Sequence, residues 1–241
     1  MRRLFTNAFR AWYRRKFTKQ FPAIMDGIFA QLDKFSLCLV VELIPGGGQH
    51  ALGSGCFFMR RDIVLTARHV VLEAFERGKQ MEIVYGSDEG RLCATAPQGF
   101  FFHPEIDIAL VRVSLDGLKV QHPFFPSHFP LHKGAIGIGY DKGASDNTAR
   151  HWTFAANKIE RFESEKRERY HGSIEYTLQF EAPWMSPGCS GGPVITQGGG
   201  VAAVLIEDFS KADDTAAGTP KSFGRATSVY PVLESFRSPF E

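Results

Sequence analysis

No apolar run in this chain approaches the ~20 residues that a membrane-spanning helix needs, so a helical span is not expected. The N-terminus begins basic but lacks the uninterrupted apolar core and small-residue cleavage site of a secretory signal, which makes the cytoplasm the expected location. No His/Cys/Asp/Glu cluster has metal-ligand spacing. Phosphate-binding loops, N-glycosylation sequons and internal repeats are missing too. Neither a metal nor any other cofactor is therefore expected. Acids are missing from residues 1 to 25, where Arg2, Arg3, Arg10, Arg14, Arg15, Lys16 and Lys19 stand without a single Asp or Glu. Cysteines number only four, at 38, 56, 93 and 189. Their even count leaves open two bridges or four free thiols, and a chain without an export signal favours thiols.

What is present suffices for a packed core. The chain has 241 residues, 44% of them hydrophobic and 22% charged, which excludes a disordered chain. The net charge of +2 conceals an asymmetry, because the basic leader leaves a mildly acidic body. Within residues 1–35, Phe5, Phe9, Trp12, Tyr13 and Phe17 recur at helical spacing, and Ile24, Ile28 and Leu32 follow Pro22 at steps of four. This predicts a basic amphipathic helical leader. It packs its aromatic face on the body or, alternatively, lies on an anionic surface through residues 1–20.

Beyond the leader the chain reads as short strands punctuated by Gly, Pro and Asp: 36–44, 51–59, 63–66, 81–85, 92–96, 108–113, 134–140, 152–162, 174–180, 194–195, 201–206 and 223–229. A helical turn is predicted at 66–73 and another at 232–236. Residues 114–132 hold Pro123, Pro126 and Pro130 without periodicity and read as a linker. Polar loops are expected at 141–147 and 210–220.

Three segments carry chemistry. Ser186-Pro187-Gly188-Cys189-Ser190-Gly191-Gly192-Pro193 is a serine in a tight loop, read alone either as a turn or as a nucleophile beside a concavity of backbone N–H groups. Asp62 to Val71 is an apolar strand ending at His69, and His103 to Val113 places Asp107 at the head of another. A serine nucleophile needs a base, and the base an orienting acid. Here the order is His, Asp, Ser. Thr66-Ala67-Arg68-His69, Asp107-Ile108-Ala109-Leu110 and Gly188-Cys189-Ser190-Gly191-Gly192-Pro193 together resemble the trypsin-like, chymotrypsin-fold serine peptidases over about residues 36 to 235. Gly53-Ser54-Gly55 and the missing disulfide cysteines make the likeness greater to the bacterial high-temperature-requirement branch. A PDZ-like region after the body is not expected.

The resemblance implies an all-β protein of two six-stranded antiparallel barrels with an N-terminal helical extension: 1–35 as leader, 36–120 as first barrel and 121–241 as second. It implies that Ser190 attacks, His69 acts as base and Asp107 orients it, with Gly188 and Ser190 N–H as the oxyanion hole. Asp62, His103 and Cys189 are the rivals as acid, base and nucleophile, with His103, before Pro104, read as a surface-loop residue and Asp62 as a turn residue. In the digestive relatives a cysteine follows the histidine and an aspartate precedes the serine. Here Val70 and Cys189 stand there, which argues against that disulfide and against activation by insertion of a new N-terminus. Pocket walls are expected from Trp184, Met185, Val204, Leu205, Ile206, Gly224 and Arg225. Trp184 occupies the position of trypsin's acid, so small or aliphatic side chains are expected before the cut, with acidic ones second if Arg225 faces the pocket. The expected function is a cytoplasmic serine endopeptidase acting on protein or peptide, regulated by its leader, mobile loops or an activating partner. The competing readings are a silent binding module on the same fold, and a membrane- or nucleic-acid-associated protein recruited by the leader.

Overall fold

The computed structural model describes residues 37–86, 92–114, 116, 123–127, 135–140, 152–157, 159–161, 177–181, 188–196, 199–211 and 221–235. The expected helical leader, the 141–147 loop, Trp184 and Met185 lie outside the described residues.

The first sheet is built from β1 (Leu37–Ile44), β2 (Gly48–Phe57), β3 (Ile63–Thr66), β4 (Met81–Gly86), β5 (Leu92–Thr95), β6 (Pro97–Phe102) and β7 (Ala109–Val113). Helix α1 (Arg68–Glu76) leaves β3. The strand order is β5-β4-β1-β2-β3-β7-β6, with antiparallel pairing. The two ends of this sheet, β5 and β6, follow each other in the chain across Ala96. Pro97 has no N–H to extend the pairing with β4, so the chain bends there and passes to β7. One bent strand thus joins both edges and closes the sheet into a barrel.

The second sheet repeats this plan. It comprises β8 (Ala135–Tyr140), β9 (Trp152–Asn157), β10 (Ile159–Arg161), β11 (Thr177–Glu181), β12 (Pro193–Thr196), β13 (Val201–Lys211) and β14 (Lys221–Ser228), followed by α2 (Tyr230–Ser235). The order β10-β11-β14-β13-β12-β8-β9 again ends on two consecutive segments, β9 and β10. Each sheet therefore has seven segments but six strands, the closing one being broken in two. The protein is all-β with two antiparallel barrels, as the sequence predicts. Segment β6 is unassigned in the sequence reading, and Ser210 and Lys211 lie in β13 rather than in the expected loop.

Strand alternation and short apolar runs fill the first barrel with Val40, Phe57, Ile63, Leu65, Ile83, Tyr85 and Leu110, all buried. Phe57 meets Tyr85 edge-to-face at 5.3 Å. Each such side chain contributes roughly 1.5–3 kcal/mol on burial. Helix α1 adds Val70, Val71, Leu72 and Ala74 to the buried set, which fixes the helix against the barrel. The proline-rich 123–127 stretch is stitched to both sheets: Phe124 N donates to Phe57 O at 2.8 Å and Ser127 N to Val201 O at 2.8 Å. Such stitching restrains the two barrels relative to each other.

Candidate active site

His69 occupies the first turn of α1, where backbone N–H groups have no partner within the helix. Ala67, the residue before the helix, supplies no capping side chain. The partner comes from across the barrel. Asp107 Oδ1 accepts the His69 backbone N–H at 2.9 Å. Its other oxygen, Oδ2, lies 2.6 Å from the ring Nδ1. One carboxylate thus caps the helix and orients the imidazole. Asp107 is almost fully buried while the His69 side chain is 31% exposed, so the ring has a wet side on which to exchange a proton. Their loops meet because β3 and β7 pair from Ile63 with Arg112 to Thr66 with Ala109.

Ser190 sits in a loop held by backbone bonds to β13. Gly191 N donates to Leu205 O at 2.7 Å, and Leu205 N to Gly192 O at 2.8 Å. Gly188 and Gly191 have φ of 106° and 87°, where a side chain would be strained. Space excludes one at Gly191 as well. A Cβ there would fall 2.0 Å from Ser54 O and 2.3 Å from Thr66 Oγ1. The Ser190 and His69 segments meet across Gly53, where an added Cβ would lie 2.7 Å from both Ser190 O and Val70 Cγ2. The Ser190 hydroxyl donates its one proton to Ile206 O at 2.5 Å.

The rivals have other employment. Asp62 accepts from its neighbour Arg60, at 2.9 Å from Nε and 2.6 Å from Nη2. His103 is buried, in contrast to the surface position that the sequence suggests. Its Nδ1 accepts the N–H groups of Glu105 at 3.1 Å and Ile106 at 3.3 Å. These bonds favour the neutral ring. Burial holds the His103 pKa below its ordinary value and Arg68 pushes the same way, opposed by Glu105 and by a bond to the Pro231 backbone. Cys189 has no exposed surface, so its thiol does not face solvent beside Ser190.

Among the expected pocket residues, Val204 lies in the hydrophobic core cluster. Leu205 and Ile206 are buried, and their carbonyls take the Gly191 N–H and the Ser190 hydroxyl. Gly224 is buried and Arg225 half-buried on β14, with Arg225 in register with Gln179 and Glu207.

A sequence profile described as a trypsin-like peptidase domain matches residues 53–204, which include all three motifs. The chain belongs to the trypsin-like peptidase family. Comparison with curated protein sequences returns no match. Among solved structures, Deg5 is similar with TM-score 0.60 and 15% identity, over 87% of this chain and 91% of that one. Rv3671c protease from M. tuberculosis, in an inactive form, gives TM-score 0.58 and 18% identity over 90% and 95% of the two chains. The HtrA-type protease AlgW with a decapeptide gives 0.56 and 17%, over 85% of this chain and 64% of that chain. These likenesses show the same fold.

This trypsin-like peptidase also has buried polar groups at the barrel junction to which the sequence reading gives no role. Ser54 and Thr66 are 1% and 0% exposed. Thr66 Oγ1 donates to Ser54 O at 2.7 Å, and Ser54 Oγ to Gly188 O at 2.6 Å. The signal available in the sequence was a small polar residue between two glycines in an otherwise apolar strand. Of the four cysteines, all are free thiols.

Proposed function

We propose that the protein is a serine endopeptidase of the high-temperature-requirement type that hydrolyses peptide bonds through an acyl-enzyme on Ser190. The observation that carries this reading is the double hold of Asp107 on His69, through ring and backbone. With Nδ1–H donated to the carboxylate, Nε2 is left basic and directed away from Asp107. His69 takes the Ser190 proton as Oγ attacks the carbonyl carbon, and the imidazolium is stabilised by the buried carboxylate. The tetrahedral oxyanion is received by the N–H groups of Gly188 and Ser190, each worth roughly 3–4 kcal/mol in a dry site. His69 then protonates the leaving amine. Water, activated by the same base, releases the acid product and restores Ser190.

The Ser190 proton rests on Ile206 O, so the hydroxyl must rotate toward His69 before attack. This supports a regulated enzyme whose resting serine is drawn into line by substrate or an activating partner. Cleavage after small or aliphatic side chains, with acidic residues second through Arg225, is proposed from the sequence alone, because Val204, Leu205 and Ile206 are packed inside the protein and offer no exposed wall. We place the enzyme in the cytoplasm, acting on few protein substrates, its basic leader contacting the body, a partner or an anionic surface. The test is degradation of unfolded casein and proteome-derived peptide libraries by the wild type and Ser190→Ala. Loss of all cleavage in the variant is expected. Equal cleavage by both would refute Ser190 as the nucleophile, and binding of peptide by the wild type without turnover would instead establish a silent binding module.

A further inference from the structure

We infer that Ser54, on β2 of the first barrel, is a positioning residue for the oxyanion hole in the second. This rests on the serine-peptidase reading. Ser54 lies 134 residues before Gly188, yet it holds the nucleophile loop at two points. Its hydroxyl donates to Gly188 O at 2.6 Å. Its backbone N–H donates to Ser190 O at 2.7 Å. These are the carbonyls of the two residues whose N–H groups receive the oxyanion. The hydroxyl is itself oriented, because it accepts the Tyr140 backbone N–H at 2.7 Å. That leaves its single proton to Gly188. Thr66 Oγ1 completes the arrangement by donating to Ser54 O at 2.7 Å, three residues before His69.

Why should the Gly188 carbonyl need a hold? Gly188 has φ of 106° and no side chain, so sterics leave its ψ free. A peptide unit is planar, so pinning the Gly188 carbonyl fixes the 188–189 plane, which joins the two planes that carry the Gly188 and Ser190 N–H groups. The Ser54 hydroxyl supplies this restraint from a buried position on the opposite barrel, 1% exposed. The Ser190 carbonyl is held by a backbone donor that no substitution at 54 removes, except proline. Ser54→Ala therefore loosens the Gly188 side of the loop and leaves the Ser190 side in place.

The experiment compares the full-length wild type, Ser54→Ala and Ser54→Thr. Three quantities are read: the fluorophosphonate labelling rate, kcat and KM on a peptide thioester, and the Kd of phenylboronic acid, whose adduct with serine is tetrahedral. For Ser54→Ala, kcat and the labelling rate should fall by about 10- to 100-fold, the scale of an ångström-sized misplacement in a preorganised site. KM should stay within about threefold, phenylboronic acid affinity should fall with kcat, and Ser54→Thr should restore part of both. A Ser54→Ala protein that keeps wild-type kcat and boronate affinity would overturn the proposal. So would one that loses its cooperative melting transition, because the hydroxyl would then hold the fold rather than the donors. A wild type that neither labels nor binds boronate would instead refute the peptidase reading, and this inference would fall with it.

Discussion

Replacing Asp107 with asparagine isolates the orienting function from the structural one, because the backbone decides which way the amide points. Asparagine has one acceptor and one donor end. The His69 N–H, 2.9 Å from Oδ1, requires the acceptor there. The NH2 group then occupies the Oδ2 position, 2.6 Å from His69 Nδ1. A donor at that place forces Nδ1 to accept, which puts the ring proton on Nε2, where it blocks receipt of the Ser190 proton. The reversed amide would set NH2 against a buried N–H. An unsatisfied buried donor costs about 1–3 kcal/mol. That cost alone suppresses the competent arrangement by roughly 5- to 150-fold. Loss of the charge that stabilises the imidazolium accounts for the rest of an expected drop of about 10⁴-fold in kcat. The helix cap survives, so the melting temperature should hold to within a few degrees. Asp107→Ala, by contrast, loses cap and orientation together and should be less stable by about 1–2 kcal/mol beyond any effect of the asparagine. Fluorophosphonate labelling rates and thermal melts of the three proteins decide it. Asp107→Asn labelling within tenfold of the wild type would refute the reasoning.

Other substitutions and conditions probe separate parts of the account. Gly191→Ala should lose labelling and at least about 3 kcal/mol of stability, since its Cβ would lie 2.0 Å from Ser54 O at a φ of 87°; a soluble, reactive variant would contradict the packing. His103 binds its proton less readily folded than unfolded, so unfolding takes up a proton in acid. Stability should be full above the ordinary value of 6.5, decline as the pH falls below it, and level off once the pH is under the lower folded value. In urea melts, His103→Gln should flatten this acid limb, and an unchanged limb would remove His103 as its source. Burial pushes the Cys38 and Cys56 thiols well up, and Cys189 is buried. Native protein should therefore react with Ellman's reagent at Cys93 first and at the other three only on unfolding. Rapid titration of all four would contradict the buried placements.

The catalytic histidine, acid and serine loop were legible because each is announced by a local string: an apolar strand running into His69, Asp107 at the head of another strand, glycines flanking Ser190. Barrel architecture followed from strand lengths and punctuation. What the sequence concealed was set by partners far along the chain or by turns too small to have a period. The break at Ala96 and Pro97 hid β6, because Phe100, Phe101 and Phe102 show no alternation of apolar and polar residues. His103 looked like a loop surface residue beside Pro104. It is buried, and its Nδ1 is satisfied by backbone donors two and three residues on, which composition does not reveal. Ser54 gave little sign of its reach to Gly188, since both bonded atoms there belong to a hydroxyl and a main-chain carbonyl. The resting rotamer of Ser190 on Ile206 O is likewise a three-dimensional fact.

The central claim is that Ser190 is the nucleophile made reactive by His69. Its most direct measurement is site mapping of the fluorophosphonate adduct by mass spectrometry, in the wild type, Ser190→Ala and His69→Ala. A single adduct on the peptide carrying Ser190 is expected in the wild type, none in Ser190→Ala, and labelling slower by at least about a hundredfold in His69→Ala. An adduct on another residue, or wild-type labelling speed in His69→Ala, would contradict the claim.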